Sequence, residues 1–107
     1  MSTQMIEIEP NPTPTPTQPA VFVPQAATTA AYDTLSWHNA DSVAHWPTPN
    51  ASNPTAWFPY QIPPGATSDT LAPGPSNPPG TPYTLNYVCA IKNHEGEKGT
   101  ITVNPQP

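Results

Sequence analysis

Tyr83-Thr84-Leu85-Asn86-Tyr87-Val88-Cys89-Ala90-Ile91-Lys92-Asn93-His94-Glu95-Gly96-Glu97-Lys98-Gly99-Thr100-Ile101-Thr102-Val103 decides the fold. Two runs rich in β-branched and aromatic residues, 83–90 and 99–103, flank a short polar turn, which is the pattern of two strands. The chain's single cysteine ends the first run, and His94 follows it in the turn at Cys-x4-His spacing. A lone thiol has no partner for an intramolecular disulfide, so Cys89 is an inert core residue, a reactive thiol or a metal ligand.

Upstream, from residue 20 onward, short runs of the same kind are separated by Pro, Gly and Asn clusters, and no helix of ordinary length is visible. That spacing predicts an all-β sandwich, with further strands at 20–23, 34–38 and 66–71. Met5-Ile6-Glu7-Ile8-Glu9 alternates apolar and acidic residues, as a short strand with one buried face does. Pro12, Pro14 and Pro16 then alternate with Thr13, Thr15 and Thr17, which predicts an extended, semi-rigid linker or edge segment rather than a ligand for a proline-binding module. The stretch 39–64 holds Pro47, Pro49, Pro54, Pro59, Pro63 and Pro64 and is too broken for much regular structure; a loop of that length in a small domain carries function or covers something. The expectation is one domain overall: an N-terminal strand and Pro/Thr-rich segment at 1–19, and the sandwich proper at 20–107.

Composition narrows the function. With 19 Pro in 107 residues the chain leans toward disorder, but 3 Trp, 4 Tyr and a formal charge of only −5 argue for a small folded core. Lys92 and Lys98 are the only strong bases against seven carboxylates, so there is no footprint for nucleic acid and no cluster to grip an anionic membrane. Apolar stretches reach four or five residues, far below the roughly 20 that span a bilayer. The start of the sequence lacks a basic region followed by a long apolar one, so a soluble chain is expected, its signal peptide removed or never present. Asp33, Asp41 and Asp69 are too scattered for an acid–base pair, and Asp41 reads as a turn former. Without a nucleophile elbow, a phosphate-cradling glycine loop or a paired CxxC, hydrolase and nucleotide-binding readings have no support.

His45 opens the long loop, in Trp37-His38-Asn39-Ala40-Asp41-Ser42-Val43-Ala44-His45. A thiolate and two imidazoles converging from adjacent turns of a sandwich make a trigonal soft site, the donor set that holds copper for electron transfer. The residues around them resemble the cupredoxins, the small blue-copper family. The segment 37–45 is similar to the family's W-x-N-x-D-x-x-x-H, and Tyr87-Val88-Cys89, His94 and Lys98-Gly99-Thr100-Ile101-Thr102-Val103 are similar to its Y-x-C…H…K-G-T-I-x-V ending. Ile62-Pro63-Pro64-Gly65 and Pro78-Pro79-Gly80 match its proline–glycine turns.

The resemblance implies a cupredoxin-like Greek-key β-sandwich with one mononuclear copper held by His45, Cys89 and His94. It implies that Asn39 ties the first-histidine loop to the cysteine loop. Trp46 and Pro47, beside His45, either pack beneath that loop or form part of an apolar rim around the metal. The family's weak axial methionine is missing, since the only methionines are Met1 and Met5; alignment on Lys98-Gly99-Thr100 puts Glu97 in its place. The implied function is transfer of single electrons between redox partner proteins, by transient docking near His94 of a monomer in the periplasm or another extracytoplasmic space. An open axial position would instead make a copper enzyme or a site for a small molecule such as nitric oxide, and a third reading is a copper-delivery module. His38 reads as a surface or internally satisfied histidine, and Trp37, Trp57 and Phe58 as packing aromatics.

Overall fold

Ile6 and Ile8 are fully buried while Met5 and Glu9 are exposed, so the alternation at 5–9 turns one face of a strand to the core. In the computed structural model, which describes residues 3–51, 54–76 and 80–105, this strand is β1 (Thr3–Thr15). It is followed by β2 (Gln18–Val23), β3 (Ala26–Ala30), β4 (Thr34–Asn39), β5 (Pro47–Pro49), β6 (Tyr83–Cys89) and β7 (Lys98–Asn104). Two sheets form, ordered β2-β1-β4 and β3-β7-β6-β5. Each is mixed: β1 runs parallel to β4 and antiparallel to β2, and β7 runs parallel to β3 and antiparallel to β6. The expected all-β sandwich is therefore what the chain forms.

Aromatic side chains join the layers. The Tyr87 ring, on β6, meets Phe22 of β2 edge-on at 4.8 Å and Trp37 of β4 at 5.3 Å. Trp57, from the long loop, covers Trp37 at 5.0 Å and donates its indole N–H to the Pro47 carbonyl. With Trp57 in that space Phe58 stays outside, 85% exposed, and is not the packing residue the sequence implied.

Expected strands 20–23, 34–38 and 99–103 fall within β2, β4 and β7, and 83–90 matches β6 but for its last residue. The expected strand at 66–71 does not form as a continuous ladder: this stretch lies antiparallel beside β4 and is held by isolated bridges, Leu35 to Leu71 and His38 to Thr67, and by the Ser68 hydroxyl on the Trp37 amide. The pairing slips by one residue between the two bridges, which breaks the ladder, and a tight turn precedes the segment. Pro64 and Gly65 fill the two central positions of a type II turn, with Gly65 at φ +79° and the Ala66 amide donating to the Pro63 carbonyl. Of the other proline–glycine turn, Pro78 and Pro79 lie outside the described residues, and Gly80 has φ +102°.

The Pro/Thr run is strand as far as Thr15, with Pro16 and Thr17 in the turn that follows. β1 pairs with β4 only from Thr3 to Ile8, so Pro10, Pro12 and Pro14 come after that ladder has ended and remove no hydrogen bond from it. Two strands escaped the reading by residue type: β3, Ala-Ala-Thr-Thr-Ala, and β5, three residues of the loop that pair Pro47 with Cys89.

Within the β6–β7 ladder a close approach demands glycine. Gly99 faces Tyr87 across the β6–β7 ladder, and a Cβ there would lie within the Tyr87 ring. Gly99→Val is expected to destabilise the protein by about 2 kcal/mol through overpacking, read as a lower urea midpoint. Gly74→Ala, where a Cβ meets nothing within 4 Å, should leave the midpoint unchanged.

Candidate metal centre

The antiparallel register of β6 and β7 brings Cys89 and Glu97 face to face, and the Cys89 amide donates to the Glu97 carbonyl at 2.9 Å. The enclosed loop is two successive turns, His94 N–H to Ile91 C=O at 3.0 Å and Glu97 N–H to His94 C=O at 2.9 Å. Asn93, inside the first of them, takes the left-handed conformation, φ +67°, which asparagine tolerates better than most residues. Cys89, His94 and Glu97 thereby turn toward one point.

His45 arrives from the other side. Its backbone pairs both ways with Ile62, and the neighbouring Trp46 amide donates to Cys89 Sγ at 3.3 Å while the Trp46 carbonyl accepts from Ala90. Trp46 thus joins the two loops through its backbone, with its half-buried ring packed against the core. Pro47 is buried in β5, so neither residue is a free apolar rim. Asn39 has a different task from the one the resemblance implied. Its side-chain N–H groups go to the Val43 and Ile62 carbonyls, 2.8 Å each, and its Oδ1 accepts from the Asp41 amide. It ties the first-histidine loop to the Ile62 turn, and the link to the cysteine loop is made by Trp46.

The result is a buried donor cluster. His45 Nδ1 lies 2.9 Å and His94 Nδ1 3.1 Å from Glu97 Oε1, and Cys89 Sγ lies 3.6 Å from His94 Nδ1. One donor atom from each of the four residues falls within 4.8 Å of all the others. His45, Cys89 and Glu97 are buried, whereas the His94 side chain keeps 14% of its surface in solvent.

Two contacts were not visible in the sequence. His45 Nε2 meets Asp41 Oδ2 at 2.8 Å, so the residue read as a turn former also holds a ring N–H. A carboxylate on Nε2 fixes the tautomer and aims Nδ1 inward. The buried backbone amide of Ala20 donates to Glu97 Oε2 at 3.0 Å. The first was legible only as His four residues after Asp; the second had no local signal at all.

The neighbouring groups act on the His45 ring. Burial pushes the His45 imidazole down, but hydrogen bonds to Cys89, Glu97 and Asp41 and the charge of Glu97 outweigh it, and the pKa is raised from 6.5 to about 10. Two imidazoles, a thiolate and a carboxylate suit a late transition metal: the sulfur favours copper or zinc and the oxygen favours the divalent state.

No protein-family profile matches the sequence, and no curated protein resembles it in sequence. The three-dimensional structure does have neighbours. It is similar to a purple cupredoxin from Nitrosopumilus maritimus, with a TM-score of 0.67 and 18% identity over 94% of this chain and 98% of that one. Oxidised plastocyanin from Dryopteris crassirhizoma matches at TM-score 0.62 and 16% identity, over 94% and 99%. Amicyanin from Paracoccus versutus matches at 0.64 and 14%, over 94% and 79%. The shared feature is the fold: the chain is a cupredoxin-like sandwich, with Glu97 standing in its donor cluster where the sequence comparison looked for methionine.

The raised His45 pKa has a definite sign. The charged ring stabilises the metal-free fold fully below about pH 6.5, and this contribution is lost as pH rises through about 10. The expected outcome is a metal-free protein whose urea midpoint falls across that window, with a His45 ring that still reports charge by NMR at pH 8. Asp41→Asn should lower the ring's titration midpoint.

Proposed function

We propose that the protein holds one copper ion between His45, Cys89 and His94, with Glu97 as the axial donor, and carries single electrons between protein partners. The observation that supports this most is the convergence of those three residues, delivered by two separate loops, on one buried point with Nδ1 of both rings inward. Copper, when bound, supplies the one-electron couple; the chain supplies everything that makes exchange fast. Trp46, Asp41 and the closed 89–97 loop hold the donors in place before any metal arrives, so little has to rearrange between oxidation states. Burial of Cys89 keeps its sulfur from solvent oxidants. The partly exposed ring of His94 is the one part of the cluster a partner can approach.

Glu97 distinguishes this reading from an open site for a small molecule. Its carboxylate is 1% exposed and reaches both histidines, which supports a filled rather than an open axial position. A carboxylate is a harder donor than a thioether and stabilises Cu(II) over Cu(I), so the reduction potential is set low. Copper delivery is a poorer fit than electron transfer, because a carrier that must surrender its cargo gains nothing from so enclosed a donor set.

Docking at His94 is small and transient, as electron-transfer encounters are. The chain's charge of −5 selects a basic partner face, and rates fall with added salt. An extracytoplasmic compartment fits a thiolate–copper site; among the described residues there is no helix long and apolar enough to cross a membrane.

Copper titration followed by absorption and electron-resonance spectra tests the assignment. The expected outcome is saturation at one Cu(II) per chain with an intense visible band that Cys89→Ser abolishes while the circular dichroism of the sandwich persists. Retention of the band in Cys89→Ser removes the thiolate from the site. Glu97→Met is expected to raise the reduction potential and shift the colour, whereas Glu95→Gln, an exposed loop residue, changes neither; identical behaviour of both variants and the parent contradicts an axial Glu97.

A further inference from the structure

The two oxygens of Glu97 do different things. Oε1 lies 2.9 and 3.1 Å from the two histidine Nδ1 atoms, and Oε2 lies 3.0 Å from the Ala20 amide. The geometry points to a divided carboxylate: the Ala20 N–H, presented by the N-terminal hairpin, is the positioning group that keeps Glu97 a one-oxygen donor and makes glutamate, not glutamine, the residue that serves there. This rests on the copper reading above, and it assigns a role to the Pro/Thr-rich segment that reading leaves without one.

Ala20 sits on β2, the edge strand of its sheet. Alternate amides of an edge strand face away from the neighbouring strand and need a partner when buried. Ala20 is fully buried and its amide points away from β1, toward Glu97. The turn that leads into β2 is latched to the same loop, because the Gly96 amide donates to the Thr17 carbonyl at 2.7 Å. Gly96 is required by this approach: a Cβ there would lie 2.9 Å from the Thr17 carbonyl oxygen and 3.1 Å from both Gln18 Cβ and Thr17 Oγ1. Pro12, Pro14, Pro16 and Pro19 restrict φ along the arm that carries these groups, so the hairpin is a stiff support.

A carboxylate can accept on both oxygens at once, but a primary amide has a single acceptor oxygen and an NH2. In Glu97→Gln the Ala20 N–H claims that oxygen, since the opposite orientation would bury two donors against each other. The NH2 then faces the histidines, where it has no lone pair to give. Without the hairpin, a glutamine would be free to turn its oxygen to the metal.

The experiment compares Glu97→Gln, Glu97→Leu and Gly96→Ala with the parent, in two states. In the metal-free protein, amide hydrogen exchange at Ala20 is expected to be slow in the parent and in Glu97→Gln, about tenfold faster in Glu97→Leu, and faster in Gly96→Ala. In the copper-loaded protein, Glu97→Gln should match Glu97→Leu in potential and electron-resonance spectrum, and Gly96→Ala should shift both in the same direction although it alters no donor. Copper-loaded Glu97→Gln that lies with the parent overturns the proposal, as does Ala20 exchange indifferent to residue 97, or a Gly96→Ala spectrum identical to the parent's. If Ala20 exchange behaves as expected but no variant, nor the parent, binds copper at Cys89, the clamp on Glu97 stands and the copper assignment falls. Gly96→Ala also serves if Glu97→Leu fails to fold, because its exchange and spectra are read without removing the carboxylate.

Discussion

The hydrogen bond from the Cys89 amide to the Glu97 carbonyl, 2.9 Å long, is the closure on which the site depends. It continues the β6–β7 ladder by one more pair and so transfers the rigidity of the sheet to a loop of irregular backbone. Once the loop is closed there, Cys89 and Glu97 lie at its two ends and His94 is folded back over them by the two turns inside. The register that sets this bond is itself held by the core, because Tyr87 and Gly99 must face each other for the Tyr87 ring to reach Phe22 and Trp37 in the other sheet. A slip of one residue would turn the cysteine, the tyrosine and every buried residue of β6 outward.

The remaining parts converge on that closed loop from three directions. The first-histidine loop comes through the Trp46 amide on the sulfur and through His45 itself, whose ring Asp41 holds; the Ile62 turn acts one step back, bonded to His45 and tied by Asn39; the N-terminal hairpin comes through Thr17 and Ala20. Each uses a backbone group or a short polar side chain, which lose little rotamer freedom when ordered. Preorganisation of this kind is what a site needs if the same geometry is to serve two oxidation states, and its cost appears as retained charge: a buried imidazole whose pKa is raised to about 10 in the metal-free protein.

Much of this was legible in the residues. The β6–β7 unit shows itself because large β-branched and aromatic side chains alternate there, and His45, Cys89 and His94 stand in segments whose resemblance to the cupredoxins implies one shared site. β3 was not legible, because alanine and threonine carry no strong periodicity, and neither was β5, three residues flanked by prolines that are ordered by pairing with Cys89 rather than by their own preference. The segment 66–71 failed in the opposite way: its composition suits a strand and it does lie beside β4, but its pairing slips by one residue between Thr67 and Leu71 and no continuous ladder forms. Asp41 and Ala20 were hidden for a common reason. A hydrogen bond across a turn, or from a backbone amide 77 positions away, leaves no pattern in the neighbouring sequence.

The identity of the atoms around the metal tests the account most directly. Copper-edge X-ray absorption of the protein loaded with one equivalent of Cu(II) should show a first shell of one short sulfur, two imidazole nitrogens and one further oxygen, with the sulfur lost in Cys89→Ser and the oxygen lost in Glu97→Met. A first shell of nitrogen and oxygen alone, unchanged in Cys89→Ser, would contradict the account at its centre.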